Sequence, residues 1–406
     1  TNRNTNSAEE ISALSSDEDA DLNSDGDTCS AFEIGQLFEQ KYTIGDELAV
    51  SLKKDYILQL ASDSSFNRVA AGLSDGSVQI FDISEQGFTI LSERMPPVLD
   101  SSAVPTTICG VRFLDETPNS LLVGTTNGLV RLFDLRTNKE QARFEDSSDG
   151  TPETITAFDR NANGRVLCAG TNKIQNNVYL IFFDVRQRKQ MGCYSESHNE
   201  DVTAVRFHDL NPDLLCSGST DGLINVFNII EPCEDDALTI TINTESSVHK
   251  LNWHKNVYEQ GIISCITHTN DFKLYQSEEG DSVVEFERSH ITKALKRKTP
   301  GNCNLISSYN TQDGDIILLA GTNRNKGEVM RSLCLRNKNL IPLSDFEGNK
   351  QIVRASLFDA KANTLITGGE SGIITLWTLG QTAAVVNSSS KLKKKTKLKS
   401  NKSTPY

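Results

Sequence analysis

The chain has 406 residues, 37% of them hydrophobic and 23% charged, with a formal net charge of −13. No apolar stretch approaches the roughly 18 residues that cross a bilayer, and the polar start Thr1–Asn6 is no secretory signal, so a soluble, intracellular protein with no membrane partner is expected. The nine cysteines are odd in number and far apart, Cys216 and Cys233 being the nearest pair, which argues against a disulfide framework or a CxxC zinc site. No metal or cofactor is expected. Residue 1 is Thr rather than Met, which leaves a preceding targeting segment open.

Charge is unevenly spread along the chain. Residues 1–40 carry ten acids against Arg3 alone, and residues 388–406 carry seven lysines and no acid. Neither end has the apolar surface needed to fold, so the expected organisation is a disordered acidic tail over 1–40, a folded body over 41–380 and a disordered Lys-rich tail over 381–406. In the acidic tail Ser15, Ser16 and Ser24 each precede an acid by three positions or fewer. They are candidate phosphorylation sites for acid-directed kinases, where added negative charge would compete for basic partners. SAFEIGQLFEQKY (30–42) reads as a short helix leading into the body, with Phe32, Leu37 and Phe38 covering it.

From residue 41 onward the sequence repeats. KYTIGDELAVSL (41–52) reads as a strand, and clear copies of one unit follow at VAAGLSDGSVQIFDI (69–83), LLVGTTNGLVRLFDL (121–135), LLCSGSTDGLINVFNI (214–229) and TLITGGESGIITLWTL (364–379). Seven positions separate the first turn residue from the final polar one in each: Asp75 to Asp82, Asn127 to Asp134, Asp221 to Asn228, Ser371 to Thr378. VLCAGTNKIQNNVYLIFFDV (166–185) keeps that count from Asn177 to Asp184 but carries an insertion before the turn, while 261–277 and 315–335 are degenerate copies. The Asp-Gly and Asn-Gly pairs predict type I′ hairpin turns, whose two central residues need φ > 0. Apolar alternation on either side predicts strands in fixed register. Upstream strands recur at ICGVRF (108–113), TAVRF (203–207), HKLNW (249–253) and VRASLF (353–358).

With one further outer strand per unit, seven units of four strands at this period predict an all-β fold, a seven-bladed β-propeller of four-stranded antiparallel sheets. Such repeats cannot bury their faces singly, so the ring should fold as one body. Little sequence remains after Leu379 for the last outer strand. The N-terminal strand over 41–52 is expected to supply it and close the ring.

The recurrent Asp-Gly or Asn-Gly turn and terminal Phe-Asp resemble the WD-repeat propellers, with Phe81, Phe133, Phe183, Phe227, Tyr275 and Trp377 where that family prefers Trp. The resemblance covers about 340 residues and is clearest in SESHNEDVTAVRFHDLNPDLLCSGSTDGLINVFNI (195–229). It implies a non-enzyme. His198, Ser217 and Asp221 match the family's blade network, in which an imidazole before the inner strand hydrogen-bonds the turn Asp. The resemblance implies a buried structural role for them rather than a hydrolytic triad. Arg136 in FDLR (133–136) and Arg186 in FDVR (183–186) resemble the W-D-x-R motif by which some WD-repeat proteins dock on the adaptor of cullin-type ubiquitin ligases. A planar guanidinium suits such docking because it binds carboxylates or carbonyls in a two-pronged way.

Other motifs carry less. GLSDG (72–76) fits the G-x-S-x-G nucleophile pattern, but strands flank it on both sides where that chemistry needs a strand-to-helix turn. His249 and His254 are five apart on a strand, which places them on opposite faces, unlike a metal-binding pair. KALKRKTP (293–300) reads as a helical surface loop between units five and six. In the C-terminal run, Lys393, Lys394, Lys395 and Lys397 fit a short nuclear-import pattern. The expected function is a non-catalytic, monomeric protein–protein interaction scaffold located in the nucleus, whether or not it is shared with the cytoplasm. Two alternatives stand beside it. One is a substrate receptor of a cullin-type ubiquitin ligase docking through Arg136 and Arg186; the other is an RNA-associated ribosome-assembly factor touching phosphates weakly through residues 391–402.

Overall fold

The computed structural model describes residues 25–50, 55–84, 87–91, 95, 106–114, 119–146, 153–256 and 258–380. The candidate residues Ser15, Ser16, Ser24, Lys393, Lys394, Lys395 and Lys397 lie outside them.

Short apolar runs separated by glycine turns form hairpins, and the hairpins assemble in chain order. Helix α1 (Ala31–Leu37) and strand β1 (Gln40–Ala49) come first. Five separate antiparallel sheets of four strands follow. These are β2 (Ile57–Ser62) to β5 (Gly87–Ile90), β6 (Ile108–Phe113) to β9 (Lys139–Phe144), β10 (Ile155–Arg160) to β13 (Lys189–Tyr194), β14 (Val202–Phe207) to β17 (Leu238–Asn243), and β18 (Val248–Lys255) to β21 (Ser282–Phe286). The remaining strands, β22 (Cys303–Asn310), β23 (Ile316–Thr322), β24 (Met330–Arg336), β25 (Asn339–Phe346), β26 (Val353–Asp359), β27 (Thr364–Gly369) and β28 (Ile373–Leu379), join β1 in an eight-stranded sheet. Two antiparallel halves meet there in a short parallel pairing of Gln40–Tyr42 with Ser344–Phe346.

The first strands of successive sheets pack side by side: β2 on β6, β6 on β10, and so on through β14, β18, β22 and β26, which returns to β2. That circuit makes the chain an all-β β-propeller, with five blades that are separate four-stranded sheets. Most hydrophobic clusters draw on two neighbouring sheets, as where Leu122, Val130 and Phe144 meet Phe158, Leu167 and Phe183. The last sheet buries Ile366, Ile374 and Leu376 against Ile57, Leu60 and Val69 of the first. β1 runs antiparallel to β28 from Tyr42 opposite Leu379 to Ala49 opposite Ile373. A bulge between Ile44 and Asp46 turns the Asp46 carboxylate outward, where it accepts the Phe88 N–H of β5 at 2.6 Å. The N-terminal strand therefore touches the neighbours on both sides of the join.

Four expectations are corrected. The turns are not type I′: Gly76, Gly128, Gly222 and Gly372 have positive φ while Asp75, Asn127, Asp221 and Ser371 do not. Each Gly N–H instead bonds the carbonyl three residues earlier (Leu73, Thr125, Ser219, Gly369), a type I turn closed by a left-handed glycine. The turn acid favours this form by accepting the N–H two residues on, Ser77 to Asp75 at 3.0 Å and Leu223 to Asp221 at 2.9 Å. The insertion in the third unit lengthens its hairpin, so that Gln175 and Asn176 are the left-handed pair and Ile174 bridges Asn177.

The short helix expected within 30–42 is present as α1, but the acidic segment already packs on the ring from Asp25, where a disordered tail over 1–40 was expected. Ser30 and Glu33 form a reciprocal capping box that starts α1, and Ile34 and Phe38, four apart on one face, enter a core with Ile291, Leu295 and Leu333. Phe32 and Leu37 point into solvent, so only Phe38 of the three expected residues covers the ring. Nor is 293–300 a mere surface loop. Its first two residues end the helix Arg288–Ala294, and Leu295 is buried by α1 while Arg297 is held by the acidic segment.

Candidate functional site

Residues on one side of the first strands face the ring axis, where polar side chains stitch several of these strands to their neighbours. Arg112 on β6 binds Asp159 on β10 at 2.7 Å. Arg206 on β14 donates to Leu251 O at 3.1 Å and Asn252 Oδ1 at 2.6 Å on β18, and Tyr309 on β22 bonds Ser356 on β26 at 2.5 Å. Desolvation pushes the Asp159 carboxyl up, but the charges of Arg112 and Arg206 and the N–H of Phe207 outweigh it and hold it below the usual carboxylate range. Where the first strands end, the channel widens into a cavity of about 560 Å³ lined by Arg160, Arg206, Asp209, Trp253, Tyr309 and Lys361 among others. Leu210 and Tyr258, 73% and 81% exposed, stand on adjacent loops at this mouth.

The structure brings His198, Ser217 and Asp221 together. His198 Nε2 lies 2.7 Å from Ser217 Oγ and Nδ1 lies 3.1 Å from Asp221 Oδ2, with Asn225 Nδ2 3.4 Å from Nε2. Desolvation raises the Asp221 carboxyl, yet the bonds from His198, Asn199 N and Leu223 N hold it low. The order resembles a hydrolytic triad, but Ser217 is 0% exposed, so no substrate reaches its hydroxyl. Phe227 supplies no indole N–H here. In the last sheet Trp377 does, donating to Thr367 Oγ1 at 2.9 Å.

A second imidazole network went unread in the sequence. His254 Nε2 contacts Ser264 Oγ at 2.9 Å and Ser308 Oγ at 3.0 Å, and Nδ1 contacts Asn310 Oδ1 at 3.1 Å. Ser308 and Asn310 belong to β22, so this group ties one sheet to the next. No repeat position or local spacing announces it.

Arg136 and Arg186 occupy matching strand ends without meeting. The Arg136 guanidinium grips its own Asp134 from Nε at 3.1 Å and Nη2 at 2.8 Å. Those bonds, with the Arg136 N–H, hold the Asp134 carboxyl down at about 2. A docking carboxylate would have to displace Asp134. Arg186 is exposed, and its backbone N–H donates to Asp184 Oδ1 at 2.8 Å.

The acidic segment is clamped to the ring. Arg331 binds both Asp27 oxygens, at 2.6 and 2.9 Å, and Arg297 reaches Asp27 at 3.1 Å and the buried Asp25 at 2.9 Å. Arg331 also lies over Phe38, 5.0 Å from its centroid. Desolvation raises the Asp27 carboxyl but Arg331 and Arg297 outweigh it and hold it low. Asp27→Asn removes one of two carboxylates held by each arginine, Asp345 remaining to Arg331 and Asp25 to Arg297, so it is expected to cost about 1–2 kcal/mol in a urea titration. An unchanged midpoint would show the clamp to be energetically idle. The charge complementarity of SDGD (24–27) and KRK (296–298) was the available sequence signal.

Residues 189–228 match the family described as WD domain, G-beta repeat. The chain is 25% identical over 371 residues to the WD repeat-containing protein 89 homolog of Dictyostelium discoideum, covering 90% of this chain and 94% of that protein. It is 25% identical over 255 residues to the WD repeat-containing protein GTS1 of Arabidopsis thaliana, covering 62% and 60%. It is 28% identical over 178 residues to the Periodic tryptophan protein 1 homolog of Drosophila melanogaster, covering 43% and 36%. Among solved structures, a chain of the Mitotic Checkpoint Complex crystal structure superposes with a TM-score of 0.62 at 14% identity, covering 93% of this chain and 98% of that one; this likeness is one of fold alone.

Proposed function

Because the chain belongs to the WD-repeat family, we propose that it is a non-catalytic platform on which other proteins dock, built as a ring of seven blades. The count of seven takes the eight-stranded sheet as two blades joined where β25 meets β1, a reading supported by its two antiparallel halves. The observation that carries the function is the wide channel mouth, a polar hollow of about 560 Å³ edged by loops that hold Leu210 and Tyr258 in solvent on a frame of packed sheets. The fold itself names no partner.

The test is cross-linking in cells followed by mass spectrometry, comparing the natural chain with Leu210→Asp combined with Tyr258→Ser. The variant is expected to lose a reproducible set of cross-linked proteins at an unchanged melting temperature, since both side chains are exposed. A set that survives intact would remove this mouth as the docking face. Nuclear location is proposed on the Lys-rich run alone, and a fluorescent fusion lacking residues 391–406 should leave the nucleus if that run imports the protein.

A further inference from the structure

The eight-stranded sheet folds so that its two halves share a core, which Tyr42, Leu319, Phe346, Leu365 and Trp377 fill only in part. Beside that cluster a cavity of about 240 Å³ remains, meeting the wide mouth at Tyr309, Phe358 and Lys361. Strand register explains the space. Ser332 on β24 lies opposite Ser344 on β25, so two small side chains stand next to each other on the cavity wall.

The hydrogen-bonding groups around this cavity are unbalanced. Ser332 is 2% exposed, and its hydroxyl has no hydrogen-bond partner among the described residues. Gln40 and Asn363 also line the wall, and the amide oxygens of both are in use. Gln40 Oε1 accepts from Ser344 Oγ at 2.9 Å, and Asn363 Oδ1 accepts from the Tyr42 hydroxyl at 2.6 Å. What the two amides retain is N–H. Gln40 pairs with Ser344 and shares a face of β1 with Tyr42, so these bonds gather Ser332, Gln40 and Asn363 at one end. Toward the channel, the Tyr309 and Phe358 rings lie 5.6 Å apart and supply apolar surface. Among the charged lining residues Arg336 is paired with Asp315 at 3.2 Å, and the exposed Asp313 and Lys361 add one charge of each sign.

A buried hydroxyl with its bond unmade, beside two spare amide N–H groups, calls for an acceptor, and such donors bind an ionised oxygen more strongly than a neutral one. A planar carboxylate offers two acceptor oxygens for one charge. A phosphate would bring up to two charges to a place where the lining arginine is already paired. The volume lies below the roughly 300–1,000 Å³ of sites for drug-sized molecules, which limits the ligand to about one ring or a short chain.

We propose that this cavity binds a small carboxylic acid with a flat or apolar body, its carboxylate at Ser332, Gln40 and Asn363 and its body against Tyr309 and Phe358. The site goes beyond the docking reading and gives the ring a small-molecule ligand. Because Ser332 and Asn363 belong to opposite halves of the closing sheet, the bound acid bridges them and stabilises the folded ring.

The experiment uses the full chain and isothermal titration calorimetry with phenylacetate, hexanoate, phenylacetamide and phenethylamine. One or both carboxylates should bind saturably and raise the melting temperature. The amide should bind at least tenfold more weakly, and the amine should not bind. Asn363→Asp keeps an acceptor for Tyr42 but sets a like charge against the ligand, and should weaken binding at least tenfold. Ser332→Ala, which removes only the unpaired hydroxyl, should weaken it about fivefold. Circular dichroism checks that both variants fold, and Ser332→Ala decides the matter if Asn363→Asp does not. The proposal is overturned if neither carboxylate binds, if the amide or the amine binds as tightly as the carboxylates, or if a folded variant binds as the natural chain does. Leu210 and Tyr258 lie outside the cavity lining, so Leu210→Asp with Tyr258→Ser should leave acid binding unchanged, and this test and the wide-mouth test fail independently.

Discussion

A chain shortened to begin at Val50 is expected to show no cooperative thermal transition. Without β1, β28 and β25 become open edges, and the join that closes the circle is left to side chains alone. The loss includes Tyr42, 3% exposed, whose ring stacks on Phe346 at 4.6 Å and whose hydroxyl donates to Asn363 at 2.6 Å. Phe346 in turn meets the buried Trp377 edge-on at 5.6 Å. Truncating one large buried aromatic costs about 3–5 kcal/mol, against a total stability on the order of 5–15 kcal/mol for a domain, so removing the whole strand should exceed what the ring can lose. Tyr42→Ala is the graded version: it should keep a cooperative transition but lose about 3 kcal/mol in a urea titration. A chain from Val50 that melts at the natural temperature would show that the circle closes without its N-terminal strand.

The second large effect is an acid limit to which His254 contributes alongside His249 and His208, whose imidazoles desolvation also lowers. The His254 imidazole is buried between two sheets, and desolvation brings it down to about 4 from an ordinary value of 6.5. The unfolded chain takes up a proton near 6.5 and the folded chain only near 4, so unfolding is favoured as pH falls between these values. The stability it governs is fully present above 6.5, declines through that window and levels below it. At about 1.4 kcal/mol per unit the full loss is about 3 kcal/mol. The depressed carboxylates Asp27, Asp159 and Asp221 act in the same sense, but only at or below the ordinary carboxylate range. Urea midpoints measured from pH 7.5 to 4.5 should fall steeply for the natural chain and more gently for His254→Asn, which keeps a polar side chain but does not titrate. Equal slopes would remove His254 as a cause.

The unit, its strands and its register were legible because they rest on local physics. Alternation of period two sets which face of a strand is buried, and a glycine at a fixed offset reverses the chain, so the copies ending at Asp82, Asp134, Asn228 and Thr378 announce the same hairpin. The closing strand expected over 41–52 pairs with β28 over Tyr42–Ala49. His198, Ser217 and Asp221 were visible through their resemblance to the family's blade network, two of them lying on one hairpin and the third just before it. What only the tertiary structure decided are the contacts between side chains that no repeat spacing relates. The type of turn depended on which N–H the acid at Asp75 or Asp221 accepts. The clamp of Asp27 on Arg331 spans more than three hundred positions, and the Ser308 that holds His254 belongs to the next sheet. The reach of Lys250 across the axis to Arg354 is likewise set by the closure of the ring. Periodicity and turn chemistry act over a few residues and are written in the order of the chain. Counter-charges and buried hydrogen bonds are chosen by proximity, which exists only once the sheets have closed on one another.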